Sequence, residues 1–486
     1  MSKKPNVIVI YADDLGYGDL SCYGAQDVQT PNVDKLLDDG IKFNSGYSTS
    51  AVCTPARYSL LTGEYPFRNA ETMILPGDAR CIIAKEQMTL PKIFKQADYS
   101  TAVVGKWHLG MGDGKIDWNN HISHSPNDVG FDYSFVFPGT NDRTPCVYVE
   151  NGDVVNLDPN DPIEVSYTQE CPYEDIPTYQ KNPEMLRMQS SHGHNHSIVN
   201  GVGRIGFMRG GKKATWKDED LAETFLGKLK GFIDDNAEKP FFAFYALHQP
   251  HVPRIPNPKF VGSTNLGPRG DVIAELDWCV GELRSHLEAK GLLEDTIIIF
   301  SSDNGPVLND GYYDNSVELC FRHKPAGPLR GGKYSKFDGG ARVPFIISWK
   351  NHLTAGTSDA LISHVDLSAS FASMLNVELH DGEVPDSENL CDLITGKSGK
   401  GRDEVMFESI NKAMVLRQGK WEYLSPSAGA WISPQTKNEL GNSMDKLFYN
   451  MQYDIGQKEN IYHNYSEIAD KMAARIDTIL ASKQTR

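Results

Sequence analysis

Several things are scarce in this 486-residue chain, and each scarcity closes off a class of function. No apolar run approaches the ~20 residues that a helix needs to cross a bilayer, so no membrane insertion is expected. Basic charge is low. The 48 Lys and Arg stand against 64 Asp and Glu, a formal charge of −16, which argues against nucleic acid or an anionic membrane surface as a partner. An anionic substrate would then need a locally positive pocket. The eight cysteines include no C-x-x-C pair, so mostly free thiols are expected. A leader is missing as the chain is written: Met1-Ser2-Lys3-Lys4 runs directly into Val7-Ile8-Val9-Ile10, too short for a signal h-region. This predicts a cytoplasmic protein, or a periplasmic or secreted one whose leader has been removed. Internal repeats and low-complexity tracts are also lacking.

What is present is an ordinary globular composition, 40% hydrophobic and 23% charged, with length enough for more than one domain. Short apolar runs read as buried parallel strands, and chemistry-bearing residues follow their ends. Asn6–Tyr11 leads to Asp13-Asp14, two carboxylates that repel unless a cation sits between them; the alternative is a solvated turn. Thr101–Val104 leads to Gly105-Lys106-Trp107-His108, where alternation puts Lys106 and His108 on one side. Phe241–Leu247 leads to His248 and His251, and Thr296–Ser301 leads to Ser302-Asp303-Asn304-Gly305. In open α/β sheets the carboxyl ends of strands are where ligands bind. Cys53 stands where a helix should begin, with Pro55 in its first turn, Arg57 able to fold back, and Gly63 able to end it at positive φ. Orphan N–H groups at such a mouth favour negative charge. Thr30–Gly40 reads as a compact helix capped by Thr30, and Ser466 as the cap of a terminal helix. From about 119 to 211 the pattern is irregular, and so long a loop region is expected to serve function. It holds Asp142-Arg143, ahead of a strand expected at Cys146–Val149, and the alternating His192, His194 and His196. A second metal site is one reading of the histidines, a polar or substrate-facing surface the favoured one.

Together the motifs identify a resemblance. C-T-P-A-R-Y-S-L-L-T-G at Cys53–Gly63, D-D-L-G-Y-G-D at Asp13–Asp19, G-K-W-H-L-G at Gly105–Gly110, S-D-N-G at Ser302–Gly305 and the late G-K at Gly332-Lys333 resemble the type I sulfatases of the alkaline phosphatase superfamily. Two positions depart from the usual pattern: Asp338 stands where Glu is usual and Ile455 where Pro is common. The resemblance implies an alkaline-phosphatase-like α/β fold over residues 1–378, a mostly parallel sheet with helices on both faces. A smaller α+β domain, 379–486, would carry a short antiparallel sheet and a terminal helix.

It also implies a chemistry. Cys53 would be oxidised to formylglycine by a formylglycine-generating or sulfatase-maturating enzyme, and its hydrate would be the nucleophile. One Ca²⁺ would be held by Asp13, Asp14, Asp303, Asn304 and residue 53. Arg57, Lys106, His251 and Lys333 would bind the sulfate, His251 or Lys333 would protonate the leaving alcohol, and His108 would take a proton from the second hydroxyl. The substrate would be a sulfated carbohydrate or another small sulfate ester. Asp142 and Arg143 offer a carboxylate acceptor beside a guanidinium fork, suited to the hydroxyls of a galacto-configured sugar; a salt bridge that pins the loop is the competing reading. His248 is a second-choice neighbour of the substrate. Two rivals stand beside this reading: a phosphonate monoester or phosphodiester hydrolase of the same superfamily, and a non-catalytic carbohydrate-binding homologue whose Cys53 is never modified.

Overall fold

Branched and aromatic runs form the strands where their side chains can be covered on both sides. In the computed structural model, which describes residues 4–320 and 322–486, the leader reading of Met1-Ser2-Lys3 lies outside the described residues. Ten strands make one sheet. They are β1 (Asn6–Ala12), β2 (Gly40–Tyr47), β3 (Ser100–Lys106), β4 (Tyr133–Phe137), β5 (Val149–Glu150), β6 (Asp153–Val154), β7 (Phe241–Ala246), β8 (Thr296–Ser302), β9 (Phe345–Trp349) and β10 (Gly356–Ser363). Their spatial order is β10-β2-β9-β8-β1-β7-β3-β4-β5-β6. The middle five, β8 to β4 in that order, all run parallel. β9 is antiparallel to both its neighbours, β10 pairs parallel with β2, and β5 and β6 close the far edge as a hairpin.

Helices cover both faces, as adjacent residues of β7 show. Phe241 packs edge-on against Phe232 of α3 (Leu221–Asp235), whereas Phe242 stacks on Phe94 of α2 (Leu90–Gln96). Neighbouring strand residues point to opposite faces, so α2 and α3 lie on opposite sides of the sheet. α4 (Gly267–Ala289) joins α3; α1 (Cys53–Thr62) and α5 (Leu367–Leu375) join α2. β1, β7 and β8 are buried along their whole length, which is why they read as unbroken apolar runs.

Beyond the large sheet, β11 (Glu404–Glu408), β12 (Met414–Gln418), β13 (Trp421–Leu424) and β14 (Leu447–Asn450) form an antiparallel meander. One face takes Ala469, Met472, Ile476 and Ile479 of α6 (Ser466–Ala481) onto Met406, Leu416 and Phe448. The other buries Val405, Phe407 and Val415 against Tyr47, Phe337 and Ala341 of the main body.

Three local expectations need correction. Thr30–Gly40 is not one helix but a turn of α-helix at Pro31–Asp34 followed by a 3₁₀ turn at Lys35–Leu37, and Gly40 opens β2. The Thr30 hydroxyl is taken by Ser21, and Asp277 of α4 caps the Asn32 and Val33 N–H groups instead. Ser466 is the first residue inside its helix, and Tyr465 precedes it with no side-chain cap. Of the strand expected at Cys146–Val149, only Val149 joins the sheet.

Candidate active site

Because β1, β3, β7 and β8 run parallel side by side, the residues that follow them gather at one edge. Cys53, the first residue of α1, meets them there; Gly63 ends that helix at φ 64°. Asp14 and His108 hold φ of 63° and 55°, left-handed conformations that non-glycine residues keep where surrounding structure enforces them. Lys106 Nζ donates to both carboxylate oxygens of Asp13 at 2.7 Å. Arg57 grips Asp303 Oδ2 through Nη2 at 2.8 Å and Nε at 3.0 Å. Asn304 Nδ2 donates to Asp14 Oδ1 at 2.8 Å, and Lys333 Nζ to Asp14 Oδ2 at 2.8 Å. Asp13, Asp14, Asp303 and Asn304 are thus brought together, as are Arg57, Lys106 and Lys333.

The electrostatics are those of a crowded, dry site. Burial pushes the Asp13 carboxyl well up; Lys106 pulls it back, while Asp303 and Asp14 add to the rise. Burial also opposes the charge on Asp303, yet Arg57 and Lys106 outweigh it and hold that carboxyl down to about 2. His251 adds to the set. Its Nε2 lies 3.9 Å from Asp14 Oδ2, and Asp13, Asp14 and His251 present ligand-type atoms within 4.8 Å of one another. Its Nδ1 is 2.6 Å from the Val252 carbonyl, which only accepts, so Nδ1 carries the proton and Nε2 a bare lone pair when the ring is neutral. Burial, with Lys333 and Lys106 nearby, holds it neutral.

The same logic fixes His108. Its Nε2 is 3.0 Å from the Leu75 carbonyl and must donate, which leaves Nδ1 as an acceptor 3.3 Å from Cys53 Sγ. Burial and then Lys106 and Arg143 push its pKa well below that of free imidazole. The Cys53 thiol is itself pushed up by burial, against the pull of Lys106 and Lys333. A bare lone pair therefore faces position 53, and the unmodified thiol there resists ionisation.

This geometry agrees with what comparison with known proteins finds. The family model described as Sulfatase matches residues 5–377. The chain belongs to the sulfatase family. It is 45% identical over 479 residues to a Bacteroides thetaiotaomicron N-acetylgalactosamine-6-O-sulfatase, covering 98% of this chain and 93% of that protein. Human arylsulfatase A is 27% identical over 476 residues, covering 95% and 84%. A solved structure described under glycosaminoglycan metabolism by Bacteroides thetaiotaomicron superposes with a TM-score of 0.97 at 44% identity, covering 99% of this chain and 100% of its own. This sulfatase is accordingly a sulfuric ester hydrolase of alkaline-phosphatase-like fold.

In the loop region of the sulfatase, Asp142 and Arg143 lie beside the centre, but the Asp142 carboxylate is already engaged. Its Oδ1 accepts from Arg143 Nη1 at 2.9 Å and from the Thr140 hydroxyl, and its Oδ2 lies 2.7 Å from His194 Nε2. Arg143 Nη1 also bonds Thr140, which leaves Nε and Nη2 without a protein acceptor among the described residues. The alternating histidines do not draw together into a metal-ligand cluster among the described residues. His192 bonds Ser191, His194 packs at a tilt against Tyr312, and His196 accepts from Gly206 N and stacks on Phe207. His248 packs near Phe137 and Phe225 with Nδ1 unpartnered among the described residues, and burial pushes it down to about 3. Asp338, at the position where Glu is usual, is buried away from the carboxylate cluster; its carboxylate accepts from Arg342 and its main-chain N–H donates to Gln457 Oε1. The sequence reading missed Asp310, whose Oδ2 accepts from Lys333 at 2.8 Å, as well as Leu75; it named His194 but not its bond to Asp142. Nothing in the local spacing marks Asp310 or Leu75, since each is defined by a partner far along the chain.

Proposed function

We propose that this sulfatase removes a 6-O-sulfate from N-acetylgalactosamine or a related galacto-configured sugar, through a formylglycine derived from Cys53 and one bound Ca²⁺. The observation that carries the reading is the gathering of Arg57, Lys106, His108 and Lys333 around residue 53 and three carboxylates, in a chain 45% identical to a protein named for that sugar and position. The residues suit a hard cation: Asp13, Asp14, Asp303 and the Oδ1 of Asn304, which is buried and unpartnered, form an all-oxygen set. When present, Ca²⁺ would neutralise these carboxylates and polarise a sulfate oxygen, and formylglycine would supply as its hydrate the hydroxyl nucleophile that a buried thiol does not.

The chain's own residues do the rest. Lys106 and Arg57 each bridge Asp13 and Asp303, offset the repulsion of those carboxylates and add fixed positive charge for the sulfuryl oxygens. His108 accepts a proton at Nδ1 from residue 53, its ring held by the Nε2–H bond to Leu75. Lys333 carries protons to give where neutral His251 presents a bare Nε2, so Lys333 is assigned as donor to the leaving oxygen. Arg143 directs its free N–H groups to the sugar, with Asp142 and His194 setting its angle. The test is turnover by enzyme coexpressed with a maturation system, offered 6-sulfated and 4-sulfated N-acetylgalactosamine, a nitrophenyl sulfate and a nitrophenyl phosphonate. The expected result is turnover of the 6-sulfate over the 4-sulfate. Hydrolysis of the phosphonate with none of the sulfates would favour the rival hydrolase and overturn the reading.

A further inference from the structure

Lys333 is tethered at both ends. Its backbone N–H donates to the Pro306 carbonyl at 2.9 Å, and its carbonyl accepts from Asn438 Nδ2 at 3.1 Å. Its ammonium lies between two carboxylates, 2.8 Å from Asp14 Oδ2 and 2.8 Å from Asp310 Oδ2. Asp14 is 1% exposed, Lys333 3% and Asp310 13%, so exposure increases from Asp14 through Lys333 to Asp310. Asp310 is itself braced. The Tyr334 hydroxyl lies 3.2 Å from each of its oxygens, and Tyr334 keeps φ of 78° while its N–H donates to the carbonyl of Ala51, two residues before Cys53. A bulky residue held in that conformation marks a place where position is enforced.

We propose that Asp310 is a positioning residue that holds the Lys333 ammonium at the leaving-group side of the site when a cation occupies Asp14. This rests on the sulfatase reading above. With a cation on Asp14, like charges would drive the ammonium away, and Asp310 is the carboxylate that keeps it in place. As the bond between sulfur and the leaving oxygen breaks, its electron pair goes to that oxygen and the sulfuryl group to residue 53. The oxygen takes one proton from Lys333 Nζ, and the amine regains a proton from water once products leave. A sugar alkoxide needs that proton far more than a nitrophenolate does, so loss of Asp310 should show in leaving-group dependence rather than in a uniform loss.

The experiment compares wild type, Asp310→Asn and Asp310→Glu, matched in formylglycine content by mass spectrometry, on a sugar 6-sulfate and on 4-nitrophenyl sulfate. For Asp310→Asn, kcat on the sugar sulfate should fall about 100-fold while the nitrophenyl ester loses less than about 3-fold, and Asp310→Glu should recover part of the loss. Calcium titration of the same proteins by calorimetry is independent of turnover. It should show Asp310→Asn binding Ca²⁺ about tenfold more weakly, because the ammonium then stays on Asp14 and competes. Equal losses on both esters, no loss on either, or unchanged Ca²⁺ affinity would each overturn the assignment. A wild type that turns over neither ester would instead sink the sulfatase reading, and the calcium titration would still decide the role of Asp310.

Discussion

The strand-end centre and the long loop region from 119 to 211 hold their functional residues by different means. At the centre, each group is placed by the strand or helix it belongs to: Asp13 follows β1, Lys106 ends β3, Asp303 follows β8, and Cys53 opens α1. In the loops, placement comes from side chains gripping side chains, as Asp142 does with Arg143, Thr140 and His194. A strand end fixes its backbone whatever the substrate, which suits chemistry common to every sulfate ester. A bonded loop network can be re-cut without disturbing the sheet, which suits the choice of sugar. Substitutions at residue 53 and the carboxylate cluster should therefore damage all substrates alike, and substitutions in the loops should discriminate between sugars.

The largest expected effect is at residue 53. Cys53→Ala should fold and bind but lose turnover by about 10⁴-fold or more on sugar and aryl sulfates alike. Peptide mass spectrometry of active wild-type enzyme should show formylglycine; full activity with only unmodified cysteine would refute that chemistry. Next comes the cation. Asp303→Asn removes the carboxylate that Arg57 grips and leaves Asp13, 3.8 Å away, as the other anionic partner of that buried guanidinium, so Ca²⁺ affinity should drop sharply and activity by about 10²–10³-fold on both kinds of ester. Chelation followed by addition of single metals checks the ion, and rescue by Zn²⁺ but not by Ca²⁺ would count against an all-oxygen site.

Legibility in the sequence divides along the same line. D-D, C-T-P-A-R, G-K-W-H and S-D-N-G could be read because each directly follows a buried apolar run or opens a helix, and the parallel order of those runs brings their ends together. The partners Asp310 and Leu75 could not, and His194 could be read only as one of an alternating run, since their roles depend on contacts across many residues of irregular chain. Caps were misread for the same reason. Thr30 has the right chemistry for capping, but the N–H groups it should cap are taken by Asp277, which is 247 positions away from Thr30 in the numbering (277 less 30). His251 was legible as a site residue, yet its approach to Asp14 follows from the turn after β7, which spacing does not describe.

A smaller effect, and the sharpest break of the comparison, concerns Arg143. Arg143→Ala should lower kcat/KM for the 6-sulfated sugar by about 10²-fold and change nitrophenyl sulfate turnover by less than about 3-fold, because the aryl ester offers no sugar hydroxyl. Equal losses on both would mean that the loop pair supports the centre itself, and the division between the two regions would fail.

The smallest effect is on stability and lies beneath the centre. His364 bridges two core hydroxyls: Ser301 donates to the Pro344 carbonyl, so His364 Nε2–H must donate to Ser301 Oγ at 2.7 Å, and Nδ1 accepts from Tyr11 at 2.9 Å. Burial holds its pKa down to about 3. Free imidazole titrates near 6.5. Above that pH neither folded nor unfolded chain binds the proton, and the neutral ring's contribution is fully present. As pH falls from about 6.5 toward 3, the unfolded chain takes the proton and the native one does not, so stability declines by about 1.4 kcal/mol per pH unit. His364→Leu should cost about 2 kcal/mol at pH 7 through its lost hydrogen bonds, yet make stability less steep between pH 6 and 4 by one proton. His196→Leu, in the half-buried loop, should change that slope much less because solvent reaches the ring. Urea unfolding at pH 4, 5, 6 and 7 measures both slopes. If the two variants flatten the curve equally, the loop histidine is as sealed as the core one, and the two regions differ less in packing than their hydrogen bonds imply.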